Sequence, residues 1–157
     1  VRHPLDILAS FITLFHKDNT YNFIDRAMTE QKIPITDDNR CHYMMNPGGI
    51  VWESMNALAT AFRQKETQYI HFIQYDDLVL NPRLVMQNLH SYLRLDSFNY
   101  DYDNIIQKDR ERDVEVYGLP TMHEVRKSID KISKPYQEVL STDVINKYIN
   151  YDFWNQQ

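Results

Sequence analysis

Arg2 and Ser10 are the first residues in this sequence whose types and spacing suggest chemistry. A guanidinium binds phosphate through a two-pronged fork. A hydroxyl two helical turns on, roughly 9 Å along the axis from Pro4, could share the same phosphate. Two histidines, His42 and His123, are candidate proton carriers because imidazole titrates near neutral pH. Cys41 beside His42 invites a metal reading, but no second Cys/His pair stands at ligand spacing, and a free Cys is ordinarily core. No metal site is therefore read. Gly48-Gly49 after Asn46-Pro47 could present backbone N–H groups to an anion, but such a pair alone reads as a turn. Lys108, Arg110 and Arg112 alternate with Asp109, Glu111 and Asp113, the pattern of a solvated mixed-charge face.

The elements that must position these groups follow from periodicity and caps. Pro4 suits a first helical position and Asp6 complements the positive helix end. Leu8, Phe11, Ile12 and Phe15 then carry an apolar stripe to about Lys17. A short helix to about Glu30 follows caps at Asn19 or Thr20, and another holding Cys41, Tyr43 and Met44 follows Thr36-Asp37-Asp38. After the 46–49 turn, Val51, Met55, Leu58, Ala59 and Phe62 keep helical spacing to about Arg63. The aromatic and β-branched run 69–75 predicts a buried parallel strand. Asn81-Pro82 opens a helix to Leu93, residues 95–116 read as mainly loop with room for one short helix, and Ser141-Thr142-Asp143 caps a last helix ending near Trp154. A strand between helices predicts α/β layering.

Length and composition set outer bounds. The 157 residues, 43% hydrophobic and 25% charged, describe one domain or a piece of one. A net charge of −5 argues against general nucleic-acid binding, which needs a basic footprint. A single cysteine makes no internal disulfide, no apolar run reaches the ~20 residues of a membrane span, and a cytoplasmic location is expected. The glycines are Gly48, Gly49 and Gly118, too few and too scattered for a Gly-rich phosphate loop.

Three segments together resemble sulfotransferases that use 3′-phosphoadenosine 5′-phosphosulfate (PAPS), nearest in pattern to tyrosylprotein sulfotransferases and their bacterial relatives. They are Arg2-x-Pro4 with Ser10, Tyr75-Asp76-Asp77-Leu78 followed by Asn81-Pro82, and the stretch 117–136. The likeness covers 1–15, 70–95 and 117–148; His3 stands where the family often carries Asp. The resemblance implies that Arg2 and Ser10 contact the 3′-phosphate, that Tyr75 lies near the nucleotide, and that Thr121, Ser128 and Lys134 wrap it. It implies a P-loop-like three-layer α/β fold, here mostly helices with a few parallel strands. With its first strand and phosphosulfate loop missing, the chain reads as a single-domain fragment, the C-terminal part of a sulfotransferase domain. Sulfuryl transfer from PAPS to a hydroxyl acceptor (peptide, carbohydrate or small molecule) is the expected function of the whole enzyme, with no metal. The chain alone is expected to be inactive and to associate with itself through an exposed sheet edge. The other readings are a non-catalytic helical interaction module and another P-loop-type nucleotide enzyme such as a small kinase. Convergence of Arg2, Ser10, Tyr75, Thr121 and Lys134 on one concavity is the geometric expectation.

Overall fold

The computed structural model describes residues 1–109, 111–130 and 134–151. Among them stand eight α-helices: α1 (Pro4–Asp18), α2 (Phe23–Glu30), α3 (Asp37–Met45), α4 (Ile50–Arg63), α5 (Tyr75–Leu80), α6 (Pro82–Leu93), α7 (Asp113–Tyr117) and α8 (Thr142–Tyr148). Two 3₁₀ turns, Thr67–Tyr69 and Tyr136–Glu138, complete the regular structure.

α1 is the centre of the core because its apolar residues recur at helical spacing: Leu5, Leu8, Ala9, Ile12 and Phe15 are all buried. Around them pack Ile24 and Met28 of α2, Cys41, Met44 and Met45 of α3, Val51 and Met55 of α4, and Val144 and Tyr148 of α8. Leu119 and Leu140 close the cluster from the connecting segments. The caps are those that side-chain chemistry favours: Asn22 accepts from the Ile24 and Asp25 N–H groups, Thr36 from Asn39, and Ser141 from Val144. One charged pair enters this interior. Arg40 of α3 forks onto Asp25 of α2, Nε to Oδ1 at 2.8 Å and Nη2 to Oδ2 at 2.9 Å, while the Asn22 amide donates to Oδ2 at 3.0 Å. Asp25 is thus buried with both oxygens satisfied, the condition under which a buried carboxylate is tolerated.

The α/β expectation is overturned: no strand and no sheet occur among the described residues. The run expected as a buried parallel strand begins in a 3₁₀ turn and gives way at Tyr75 to α5. Between them Ile70 at φ −117°, ψ 123° and Gln74 at φ −71°, ψ 132° are extended, as β-branched and aromatic surroundings prefer. Pairing is what the run lacks. The nitrogen of Val1 donates to the Ile73 carbonyl and the Tyr75 N–H donates to the Val1 carbonyl at 2.9 Å. One such pair does not make a sheet, which needs several strands sharing an apolar face. The sheet edge expected to mediate self-association therefore does not occur among the described residues. Two smaller differences concern helices. Tyr75–Leu80 is helical where only a connection was expected, and α8 stops at Tyr148, with the expected end near Trp154 lying outside the described residues.

The Gly48-Gly49 pair is a turn with two different constraints. Gly48 has φ +87° in open space, whereas a Cβ on Gly49 would lie 2.4 Å from the carbonyl oxygens of Tyr43 and Met44. Gly49 therefore lets α4 start against the last carbonyls of α3. Gly48→Ala is expected to cost about 1 kcal/mol through its backbone conformation, and Gly49→Ala about 1–3 kcal/mol or more through overpacking against backbone. Chemical denaturation of both variants measures the difference; equal costs would show that α3 and α4 are not locked by this contact.

Candidate functional site

The N-terminal end of α1 is built from four residues in a row and one from α5. Pro4 supplies no N–H, and His3 takes up the next three: its Nδ1 accepts from Leu5 at 3.1 Å, and its carbonyl accepts from Asp6 at 3.0 Å and Ile7 at 3.2 Å. An Nδ1 that accepts leaves the ring proton on Nε2, which faces the Ile149 carbonyl at 3.1 Å. The His3 ring also stacks on Tyr136 at 6.1 Å between centroids. The first-turn donors are thus already spent, so an anion at this end would depend on side chains and the helix dipole.

Arg2 is the side chain placed there. Its guanidinium carbon lies 4.4 Å from the centroid of the Tyr75 ring, a cation–π contact that fixes its direction. A shallow cavity of about 170 Å³ opens beside it, lined by Val1, Arg2, His3, Asp6, Tyr75 and Asp76 among others. Asp6 and Asp76 bring two carboxylates to the lining of the same cavity. Ser10 is exposed and one turn beyond Asp6 on α1, hence on the same side of the helix.

The remaining expected residues divide between places. Lys134 is exposed and stands two residues before Tyr136, so the Tyr136–His3 stack returns its segment to the Arg2 end of α1. Thr121 goes to the opposite end: its N–H and hydroxyl both donate to Asp18, at 3.1 and 2.8 Å. α1 has 15 residues, so these ends are ~22 Å apart. Ser128 bonds locally to Asp130. The structure therefore sets Arg2 on Tyr75 at the N-terminal end of α1 and returns the Lys134 segment toward that end, but Ser10 lies near the middle of the helix, Thr121 and Ser128 lie elsewhere, and none of Ser10, Thr121 and Lys134 lines the cavity beside Arg2.

The two candidate histidines differ. His42 lies between α3 and α8, its Nδ1 3.0 Å from the Tyr148 hydroxyl and 3.5 Å from the Lys147 ammonium. Burial first, and then the positive charge of Lys147, hold it below the ordinary histidine range. Burial pushes the neighbouring Cys41 thiol and the Tyr148 phenol each up to about 12, so neither ionises near neutrality. Cys41 points into the core and His42 toward α8, and no group of three metal-ligating side chains occurs among the described residues. His123 is better equipped for proton chemistry. Its Nδ1 faces Asp113 Oδ1 at 2.7 Å and its backbone N–H donates to Oδ2 at 2.9 Å, while Asp113 itself is buried. Burial pushes the Asp113 carboxyl up, but the side-chain and backbone bonds and the charge of His123 outweigh it and leave it below the usual range. This orients Nε2 as the ring's accepting nitrogen at a cavity of about 400 Å³ that also includes Gln107, Glu111, Thr121 and Lys127. Among the described residues no hydroxyl nucleophile completes a triad there, since Thr121 donates to Asp18.

His3, Asp6 and Asp113 were not singled out for these roles by sequence reasoning. Asp6 carries a signal as the residue one turn before Ser10, whereas Asp113 lies in a mixed-charge run and meets His123 only through the fold. Compared with known proteins, the chain matches no family model, no curated protein and no solved structure. Among the described residues no helix is long and apolar enough to cross a membrane.

Acidification should act through two of these groups. The folded value of His42 lies below 6.5, so the unfolded chain takes up the proton first; stability is complete above about 6.5 and is lost as pH falls from there to the folded value. For Asp113, stability is complete above 3.8 and is lost as pH falls from there through its lowered folded value. Thermal melts between neutral pH and pH 3 should show the upper loss abolished in His42→Asn and the lower one reduced in Asp113→Asn. Identical pH profiles for wild type and both variants would contradict these assignments.

Proposed function

We propose that this chain carries the 3′-phosphate and nucleotide-binding part of a cytoplasmic PAPS-dependent sulfotransferase. The supporting observation is the Arg2–Tyr75 contact at the N-terminal end of α1, with Ser10 on the same side of that helix. These two residues come from the first two segments that carry the resemblance, 73 positions apart in the sequence. In the whole enzyme the acceptor oxygen forms a bond to sulfur and gives up its proton. The bond between sulfur and the 5′-phosphate oxygen breaks, and its electron pair leaves on adenosine 3′,5′-bisphosphate. The part assigned to this chain is the grip on the nucleotide: Arg2 supplies charge, Ser10 a hydroxyl and Tyr75 a ring.

A charge-assisted hydrogen bond contributes about 1.5–3 kcal/mol, and every ~1.4 kcal/mol is tenfold in affinity. Calorimetric titration should therefore show adenosine 3′,5′-bisphosphate binding at least about tenfold more tightly than AMP or ATP, with the preference lost in Arg2→Ala. A preference for ATP would favour a kinase-like enzyme instead. Equal affinities, or a preference that Arg2→Ala leaves intact, would remove the assignment.

One observation favours a second reading, a non-catalytic helical interaction module: the described chain is helical, and residues 69–106 carry many of its exposed large apolar side chains. Absence of any nucleotide binding in the same titration is the outcome that selects it.

A further inference from the structure

The segment after α6 builds a surface that the nucleotide reading does not use. His90, in the last turn of α6, holds the 95–100 loop at two points: its Nδ1 lies 2.7 Å from the Asp96 carbonyl and its Nε2 2.8 Å from the Tyr100 hydroxyl. A carbonyl only accepts, so Nδ1 carries the proton, and in the neutral ring Tyr100 donates to Nε2. The phenol is thereby fixed in direction. Phe98, Tyr100 and Tyr102 alternate in the chain and their rings follow one another in space, with centroids 4.8 Å apart for the first pair and 5.8 Å for the second. Arg83 of α6 closes the row, its guanidinium carbon 6.0 Å from the Tyr102 ring. Phe98 remains 67% exposed and Tyr100 36%.

Beside this row a groove of about 170 Å³ runs between α6 and the loop. Gln87, Ser91, Ser97 and Asn99 line it and make no side-chain hydrogen bond among the described residues. Ring faces held in place beside amide and hydroxyl groups that both donate and accept are what a sugar ring requires. Its C–H face packs against the negative face of an aromatic ring, and its hydroxyls need donors and acceptors together. We propose that this groove is a binding site for a neutral saccharide, one ring stacked on Phe98, the more exposed ring, and bordered by Tyr100, with its hydroxyls toward Gln87 and Asn99. The volume falls below the ~300 Å³ at which drug-sized pockets begin, which suits a single ring at a time.

Charge and geometry argue against two other occupants. Asp96, Asp101 and Asp103 stand in the same loop of a chain with net charge −5, which disfavours single-stranded nucleic acid. A quaternary ammonium needs rings converging on one point, whereas these rings pack on each other in a row, with Arg83 already over the last. The site shares no lining residue with the cavity beside Arg2.

The test is calorimetric titration, with saturation-transfer NMR, of cellobiose, maltose and lactose against the full chain. Choline and oligo-uridine serve as the competing ligand classes. At least one disaccharide should bind with a dissociation constant on the order of 1 mM or tighter. Tyr100→Ala and Phe98→Ala should each weaken it about tenfold or more. Phe98 is largely exposed, so its variant keeps the test valid if Tyr100→Ala does not fold. Tyr100→Phe, which keeps the ring face, should retain binding, and Arg2→Ala should leave it unchanged, separating this site from the nucleotide reading. Failure of all three disaccharides to bind, binding that survives loss of both rings, or binding of choline or oligo-uridine in place of saccharide would each overturn the proposal.

Discussion

Everything in this molecule is arranged around the burial of one face of α1. Five of its residues lie in the core, and four other helices and two connecting leucines pack around them. A helix used in this way has only its two ends and one outer stripe left for other purposes. Both ends are tied by side chains from distant parts of the sequence: His3 to Ile149 and Tyr136 at the start, Asp18 to Thr121 at the finish. The stripe carries Asp6 and Ser10, and the start carries Arg2. Where polar chemistry can occur near α1 is therefore a consequence of how its apolar face is covered.

The Asp25–Arg40 fork has a related role on the other side of the core. It joins α2 to α3 through a carboxylate whose side-chain partners are a guanidinium and an amide, so that removing Arg40 leaves Oδ1 buried without its donor and the charge unpaired. Arg40 also lies over the Phe15 ring at 5.6 Å, which connects the pair back to α1. Residues 64–112 are different in kind. Among the described ones none is fully buried, and their contacts include His71 stacked on Tyr92 at 4.4 Å and His90 bonded to the following loop. Local opening of such a region is less costly than opening of the core.

The helices were legible in the sequence because their information is local. The apolar period of α1, the caps at Asn22, Thr36 and Ser141, and Pro82 at the start of α6 each act within a turn or two, and each is where sequence reading put a helix boundary or within a few residues of it. The failure at 69–75 has the opposite character. Its residues do favour extended backbone, and Ile70 and Gln74 are extended, but whether an extended segment becomes a strand depends on neighbours that pair with it. Here there is a single pairing, to Val1.

What the sequence by itself determined is thus the six longer helices α1–α4, α6 and α8, the apolar face of α1, and the presence of a guanidinium before α1 and a hydroxyl on it at fixed spacing. Those follow from short-range sterics, periodicity and capping, which a linear string contains. Tertiary structure alone decided that Arg2 lies over Tyr75, that Thr121 is carried to the far end of α1, that Asp113 orients His123, and that the run at 70–74 meets only Val1. Each of these joins residues ten to more than a hundred positions apart. Their meeting depends on how the packed helices direct the connecting segments, which no local preference specifies.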